Sequence, residues 1–249
     1  MRIWVYMVSA AVVAGGVATQ EAGPYKAQPE PVVFESVNDY MLWFLQGSDT
    51  AGQPITTTTV ETHDWSASRD GLSVHVILSG EGFSSETTYE VEPSGRVVTV
   101  DGVQVADVEG ARVDLLPRLQ AGVLEVGMTW MDEVSASAER DYGDTSYHAT
   151  RRYEVDRVAE VAGTEVLVVV STGELRLRQG GWQDTNQTSS WWQEVSGPVV
   201  DTVWFDPEAG RLVADATHMV LSGEGGVSSA GGSVSLPSGL RSSVRRTSR

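Results

Sequence analysis

The chain writes one turn twice. Tyr89-Glu90-Val91-Glu92-Pro93-Ser94-Gly95-Arg96-Val97-Val98 returns as Trp204-Phe205-Asp206-Pro207-Glu208-Ala209-Gly210-Arg211-Leu212-Val213, with one more residue between proline and glycine. In each copy an aromatic-bearing segment meets an acid, and a proline fixes φ at the first corner. A glycine then supplies the positive φ that lets the chain fold back. Arg and an apolar pair follow. Two such hairpins in a chain poor in helix signals predict a mainly β fold with two related halves. The expected form is a single strongly bent antiparallel sheet or half-open barrel with few short helices.

Alternation supports that form. Val74, Val76 and Leu78 alternate with His75, Ile77 and Ser79, and Leu175 and Leu177 with Arg176 and Arg178, the pattern of a sheet with one wet face. Tyr147, Ala149, Tyr153 and Val155 alternate with polar residues, and Ile55 to Val60 is β-branched throughout. Val166 to Val170 is continuously apolar, as expected of a strand buried on both faces. The run Val37 to Leu45 fits either a strand or a short helix. A helix is slightly preferred, with Ser36 and Asn38 as caps and Gly47 as a stop.

Met1 to Ala18 reads as a secretory signal: Arg2, an apolar run from Ile3 to Ala14, then Gly16-Val17-Ala18 with small residues at the cleavage positions. Residues 19–36 carry Pro24, Pro29 and Pro31 and read as a flexible linker. A single β-rich domain is expected over 37–237, its halves about 37–120 and 121–237 dividing near Leu115-Leu116-Pro117-Arg118-Leu119-Gln120. The last stretch, 238–249, holds Arg241, Arg245, Arg246 and Arg249 and reads as an Arg/Ser-rich tail or a frayed edge strand. No other segment approaches a membrane span, so none remains after signal cleavage.

Charge narrows the partners. Seventeen Lys and Arg against 34 Asp and Glu leave a formal charge of −17, which disfavours a nucleic-acid partner and repels anionic lipid. The chain has no cysteine, which excludes disulfides, thiol catalysis and cysteine-ligated metal. An exported chain of this kind belongs in a bacterial periplasm or outside the cell, held together by its core alone.

Nothing in the sequence forms a catalytic signature, and no cofactor or metal is expected. His63, His75, His148 and His218 are isolated, without the spacing of a zinc site. His63 and Asp64 are strand neighbours and point to opposite faces, so they do not form a triad contact. Asp141-Tyr142-Gly143-Asp144 and Asp184-Thr185-Asn186 are oxygen-rich but lack the EF-hand spacing.

Tryptophan is the sharper signal. Trp65, Trp130, Trp191 and Trp204 are candidate lining residues for a site that holds a lipid or another hydrophobic ligand, since indole offers a broad apolar face with one donor. The alternative is that they fill the core of a curved sheet with no helices to cover it.

Leu124, Val126 and Gly127-Met128-Thr129-Trp130, with Tyr153-Glu154-Val155 and the Trp204 to Val213 hairpin, resemble a group of uncharacterised bacterial exported proteins with a G-x-T-W strand motif. More distantly, the layout is similar to the LolA/LolB-like lipoprotein-carrier fold, a bent antiparallel sheet around an apolar cavity. That resemblance implies binding of acyl chains or another hydrophobic ligand and supplies no catalytic residues. The leading expectation is therefore a non-enzymatic exported protein binding a hydrophobic ligand or envelope component. The alternative is an interaction module that contacts an envelope protein through a sheet edge or the basic tail.

Overall fold

The computed structural model describes residues 24–46, 49–69, 71–104, 115–120, 122–140, 143–182 and 187–249. The expected signal over 1–18 lies outside these residues, as do 141–142 of the first acidic loop and all of the second, 184–186. The described residues contain no helix, so the few short helices expected are not found there.

The first half is built from β1 (Val32–Gln46), β2 (Asp49–Ala51), β3 (Pro54–Ala67), β4 (Leu72–Gly80), β5 (Phe83–Val91), β6 (Val97–Val100) and β7 (Val103–Gln104). The second half holds β8 (Thr129–Arg140), β9 (Gly143–Val161), β10 (Thr164–Trp182), β11 (Ser189–Asp206), β12 (Arg211–Ser229) and β13 (Gly232–Ser248). All belong to one antiparallel sheet in the order β7-β6-β5-β4-β3-β1-β13-β12-β11-β10-β9-β8, with β2 paired to β1 off that path. Each half is a meander. They join where the chain's two ends meet, β1 lying against β13 from Phe34 opposite Ser248 to Phe44 opposite Ser238. The path does not close, because β7 and β8 are not neighbours.

The duplicated turns join neighbouring strands as expected, β5 to β6 and β11 to β12, both at one end of the sheet. Gly95 and Gly210 have φ of 93° and 65°, the left-handed region that a side chain disfavours. We call this end of the sheet the turn end, and the opposite end, with the β4–β5 and β12–β13 tips, the open end. A Cβ on Gly173 would strike the Thr150 carbonyl oxygen, and one on Gly223 the Glu194 carbonyl oxygen. Glycine at these positions lets adjacent strands approach closely enough for the sheet to curl.

Curling creates a concave inner face. Cross-strand register assigns to it Phe34, Trp65, Val74, Tyr89, Val155, Val169, Val203 and Phe205, all buried in one apolar cluster at the turn end. A second cluster, with Val134, Ala149, Leu175, Val199, Leu221 and Leu240, lies on the inner face of the second half. Burying a side chain of this size contributes about 1.5–3 kcal/mol, so each cluster is a substantial share of a domain's stability.

Three expectations are corrected. The run Val37 to Leu45 is strand, not helix: residues 37–44 pair with β13 and residues 37–41 also with β3 on the other side. The described part of the 19–36 linker is ordered by contact, since Tyr25 is buried in the turn-end cluster and β1 already begins at Val32. The 238–249 stretch is neither tail nor edge. It belongs to β13, a central strand flanked by β1 and β12, and its serines and arginines are small or paired enough to fit there.

Candidate functional site on the concave face

The inner face is divided along its length, and the division begins with the chain's own segments. Residues 24–28 form a strap between the two duplicated turns. The Tyr25 amide donates to the Pro93 carbonyl at 3.0 Å and the Lys26 amide to the Gly210 carbonyl at 2.9 Å. Lys26 Nζ reaches the Glu208 carbonyl at 2.9 Å, and Gln28 Nε2 the Ala209 carbonyl at 3.0 Å. Beside the strap, the crossover between the halves packs Leu115, Leu116, Leu119 and Leu124 into the same cluster. The Tyr25 hydroxyl donates to the Pro117 carbonyl at 3.0 Å, and the Leu119 amide donates to the Ser94 carbonyl at 2.9 Å. The turn end is thus filled by the chain itself. Burial holds the Tyr25 phenol well above its ordinary pKa.

Next comes a belt of buried charge. Arg246, 3 % exposed, donates from Nε to Asp215 Oδ1 at 2.6 Å and from Nη1 to Glu61 Oε2 at 3.3 Å. Its Nη1 and Nη2 both donate to the Leu115 carbonyl at 3.1 Å, and its guanidinium lies over the Phe34 ring at 5.2 Å. His63 Nε2 lies 3.0 Å from the same Glu61 oxygen. Burial alone would lower the Arg246 pKa, but Asp215 and Glu61 outweigh it and hold the guanidinium above its ordinary value. Further along, Arg151 Nε lies 3.3 Å from Asp201 Oδ2, and Ser171 and Thr217 donate to the Asp201 carboxylate at 2.6 and 2.7 Å. Arg118 on the crossover meets Asp132 on β8 at 3.3 Å.

Beyond the belt and the second cluster the face opens. Trp191 is only half-buried, while Val227 is 41 % and Val234 60 % exposed. Trp191, Val227 and Val234 lie opposite one another on β11, β12 and β13, forming an apolar row at the open end. Gln179 Nε2 donates to Gln193 Oε1 at 2.8 Å, and Gln193 Nε2 donates to Ser238 Oγ at 3.3 Å, just inside that row.

The four candidate tryptophans are not brought together. Trp65 is buried at the turn end and stacks on Tyr25 at 6.0 Å. Trp130 packs against the same cluster, parallel to Tyr153 within 2° at 5.1 Å, and donates to the Arg118 carbonyl at 3.3 Å. Trp191 is at the open end. Trp204 alternates with the buried Val203 and Phe205 and sits opposite Val168 and Ala214, so it faces the convex side.

The histidines are also separate. His63 is enclosed in the core while Asp64 is exposed, as strand alternation requires. His75 lies 3.7 Å from Glu86, and His148 Nδ1 lies 2.7 Å from Ser135 Oγ and 3.8 Å from Glu133, both on partly exposed strand faces. In the second group serine and glutamate address the same ring nitrogen, so the histidine cannot relay a proton between them. Among the described residues no group of three acidic or histidine side chains has metal-binding geometry.

The belt was missed in the sequence. Its signal was there: Asp201 occupies an inward position in the alternating stripe Val199, Asp201, Val203, Phe205, where a charge demands a buried partner.

No protein-family model matches the chain. Over 110 residues it is 27 % identical to the HPr kinase/phosphorylase of Clostridium beijerinckii, a match covering 40 % of this chain and 36 % of that protein. The chain therefore spans little more than a third of the curated relative it matches.

Proposed function

We propose that this is a non-enzymatic, exported bacterial binding protein that holds a hydrophobic ligand on the open half of its concave face. The carrying observation is the asymmetry of that face. At the turn end the chain's own Tyr25 and crossover leucines cover the apolar surface, whereas at the open end Trp191, Val227 and Val234 remain partly uncovered. Exposed apolar surface grouped in a concavity is what ligand-binding proteins present. Kinase chemistry receives no support from the residues. Phosphoryl transfer uses a lysine in a glycine-rich cradle, and the single lysine, Lys26, is bonded to the Glu208 carbonyl in the strap.

A test is titration with an environment-sensitive hydrophobic dye and with fatty acyl probes. Binding is expected to shift tryptophan emission and raise the melting temperature, and Trp191→Ala should weaken it about tenfold, the loss of roughly 1.4 kcal/mol of contact. Trp204→Ala, on the convex face, should leave it intact. No shift with any probe, or equal loss in both variants, removes the proposal.

A second reading is an interaction module at the sheet edge. It rests on β8, a twelve-residue strand with no described partner on its outer side and with Met131 68 % exposed. It would show as association that Met131→Lys abolishes in sedimentation while dye binding persists.

A further inference from the structure

On its convex face the open end carries two indoles that lie on glycine. Trp43 on β1 stands opposite Gly239 on β13, and Trp192 on β11 opposite Gly226 on β12. A Cβ on Gly239 would strike the Trp43 ring at Cζ2 and Cε2, and one on Gly226 would come within 3.0 Å of Trp192 Nε1. Each ring therefore lies across the neighbouring strand instead of standing away from it. Both glycines are buried beneath the rings, while Trp43 and Trp192 are only half-buried. A ring laid on backbone in this way keeps its far face toward solvent. Leu42 packs with the inner second cluster and Trp191 lies in the inner row, so alternation places Trp43 and Trp192 outside. Trp182 on β10, 43 % exposed, shares that face one diagonal step from Trp192.

Register fixes the spacing of the two rings. Gly226 stands opposite Ser235, four residues before Gly239 on the same strand β13. The rings are thus offset by roughly 13 Å along the strands and about 5 Å across them. Between their levels lies Glu224 on β12, opposite Pro237 on one side and Glu194 on the other. Both glutamates are exposed. Like charges directly opposite each other on a sheet are destabilising, so packing gives no reason for this pair. Ser235 Oγ donates to Glu224 Oε2 at 3.3 Å, and Arg178 on β10 stands opposite Glu194. Two carboxylates against one guanidinium leave the band acidic, on a chain whose formal charge is −17.

These groups define a chemistry. Open indole faces take flat apolar faces, and exposed carboxylates take hydrogen-bond donors. The acidic band rejects an anionic polymer. A wholly apolar ligand would cover the carboxylates without offering them a donor. A pyranose chain meets both demands, because the axial C–H bonds of each ring form an apolar face and its hydroxyls donate around the rim. Only a chain with equatorial linkages extends as a flat ribbon able to lie on two rings this far apart. The geometry points to a glycan-binding platform on the convex face. Trp43 and Trp192 stack on separate sugar rings of an extended, neutral, β-linked chain, and Glu224 and Glu194 accept from its hydroxyls. The platform is on the opposite side of the sheet from the apolar row and does not depend on it.

The experiment titrates cellohexaose into the full chain, read by calorimetry and tryptophan emission, with cellobiose, maltohexaose and hexalysine as comparisons. Cellohexaose should bind about tenfold tighter than cellobiose, which cannot reach both rings, and than maltohexaose, which has the same composition but coils. Trp43→Ala and Trp192→Ala should each weaken binding about tenfold through the lost stacking face. Trp204→Ala, on the convex face at the turn end, should leave it unchanged. Because uncovering a glycine can lower stability, Glu224→Gln on an exposed side chain is read alongside. It should weaken cellohexaose binding several-fold at an unchanged melting temperature. If cellohexaose does not bind, or binds no tighter than cellobiose, the indoles only cover their glycines and the platform is overturned. Equal binding of maltohexaose, or full binding by all three platform variants, also overturns it. Preferred binding of hexalysine that salt abolishes identifies a cation patch instead, and the glycan assignment is wrong. Dye binding on the concave face is a separate measurement, so the platform and the hydrophobic site stand or fall independently.

Discussion

The two ends of the concave face use similar apolar residues to opposite effect. At the turn end the sheet is covered by the strap and the crossover, each locked by main-chain hydrogen bonds to a Pro/Gly turn. At the open end no described segment covers Trp191, Val227 and Val234, which remain partly exposed on a face of the same sheet. The first arrangement converts apolar area into stability. The second leaves it available for a ligand. Between them the charge belt keeps the two regions distinct, because neither apolar cluster can extend across buried ion pairs without stranding a charge.

The comparison is broken most directly by exchanging its terms. Trp65→Ala at the turn end should cost about 3–5 kcal/mol in urea unfolding, whereas Trp191→Ala at the open end should cost about 1 kcal/mol or less. Equal costs would mean the open end is core after all. The belt is next. Arg246→Leu leaves Glu61 and Asp215 buried without their cation and should destabilise by about 3–5 kcal/mol, and adding Glu61→Gln and Asp215→Asn should restore much of it. A triple variant no better than the single one would show that the belt acts through packing instead of charge.

A smaller effect tests the strap. A Cβ on Gly210 would come within 2.5 Å of Lys26 Cγ and 2.7 Å of the Pro24 carbonyl, so Gly210→Ala should cost about 1–3 kcal/mol and expose residues 24–28 to protease. An unchanged cleavage pattern would separate the turn from the strap. The smallest is Tyr25→Phe, which removes one hydrogen bond worth about 1 kcal/mol. It also carries a pH signature. The Tyr25 pKa is raised on folding, so its contribution is intact below about pH 10, the unfolded value, and is lost as pH rises toward the folded one. Stability of the native chain should therefore fall in that alkaline range, and less so in Tyr25→Phe.

Much of the architecture was legible. The paired Pro/Gly corners did join neighbouring strands, and the alternation of Val74, Val76 and Leu78 did mark an inner face, because a two-residue period leaves an imprint on composition. The run Val37 to Leu45 misled because a strand flanked on both sides and a short helix share the same apolar density. The C-terminal arginines misled for a related reason. A Gly- and Ser-rich strand hides its alternation, and nothing local shows that Arg246 lies inside the sheet while Arg245 lies outside. The tryptophans showed the chemistry but not the grouping, and only the register separates Trp204 from Trp191.

By itself the sequence determined the local geometry: where the chain turns, which residues alternate, and that an acidic, cysteine-free chain rests on its core. The tertiary structure alone decided which apolar residues are covered and which are left open, and which charges meet. The physical reason is distance along the chain. Arg246 meets Glu61 across 185 residues, and Tyr25 meets Pro117 across 92, so these contacts depend on how two meanders close on each other and leave no local trace.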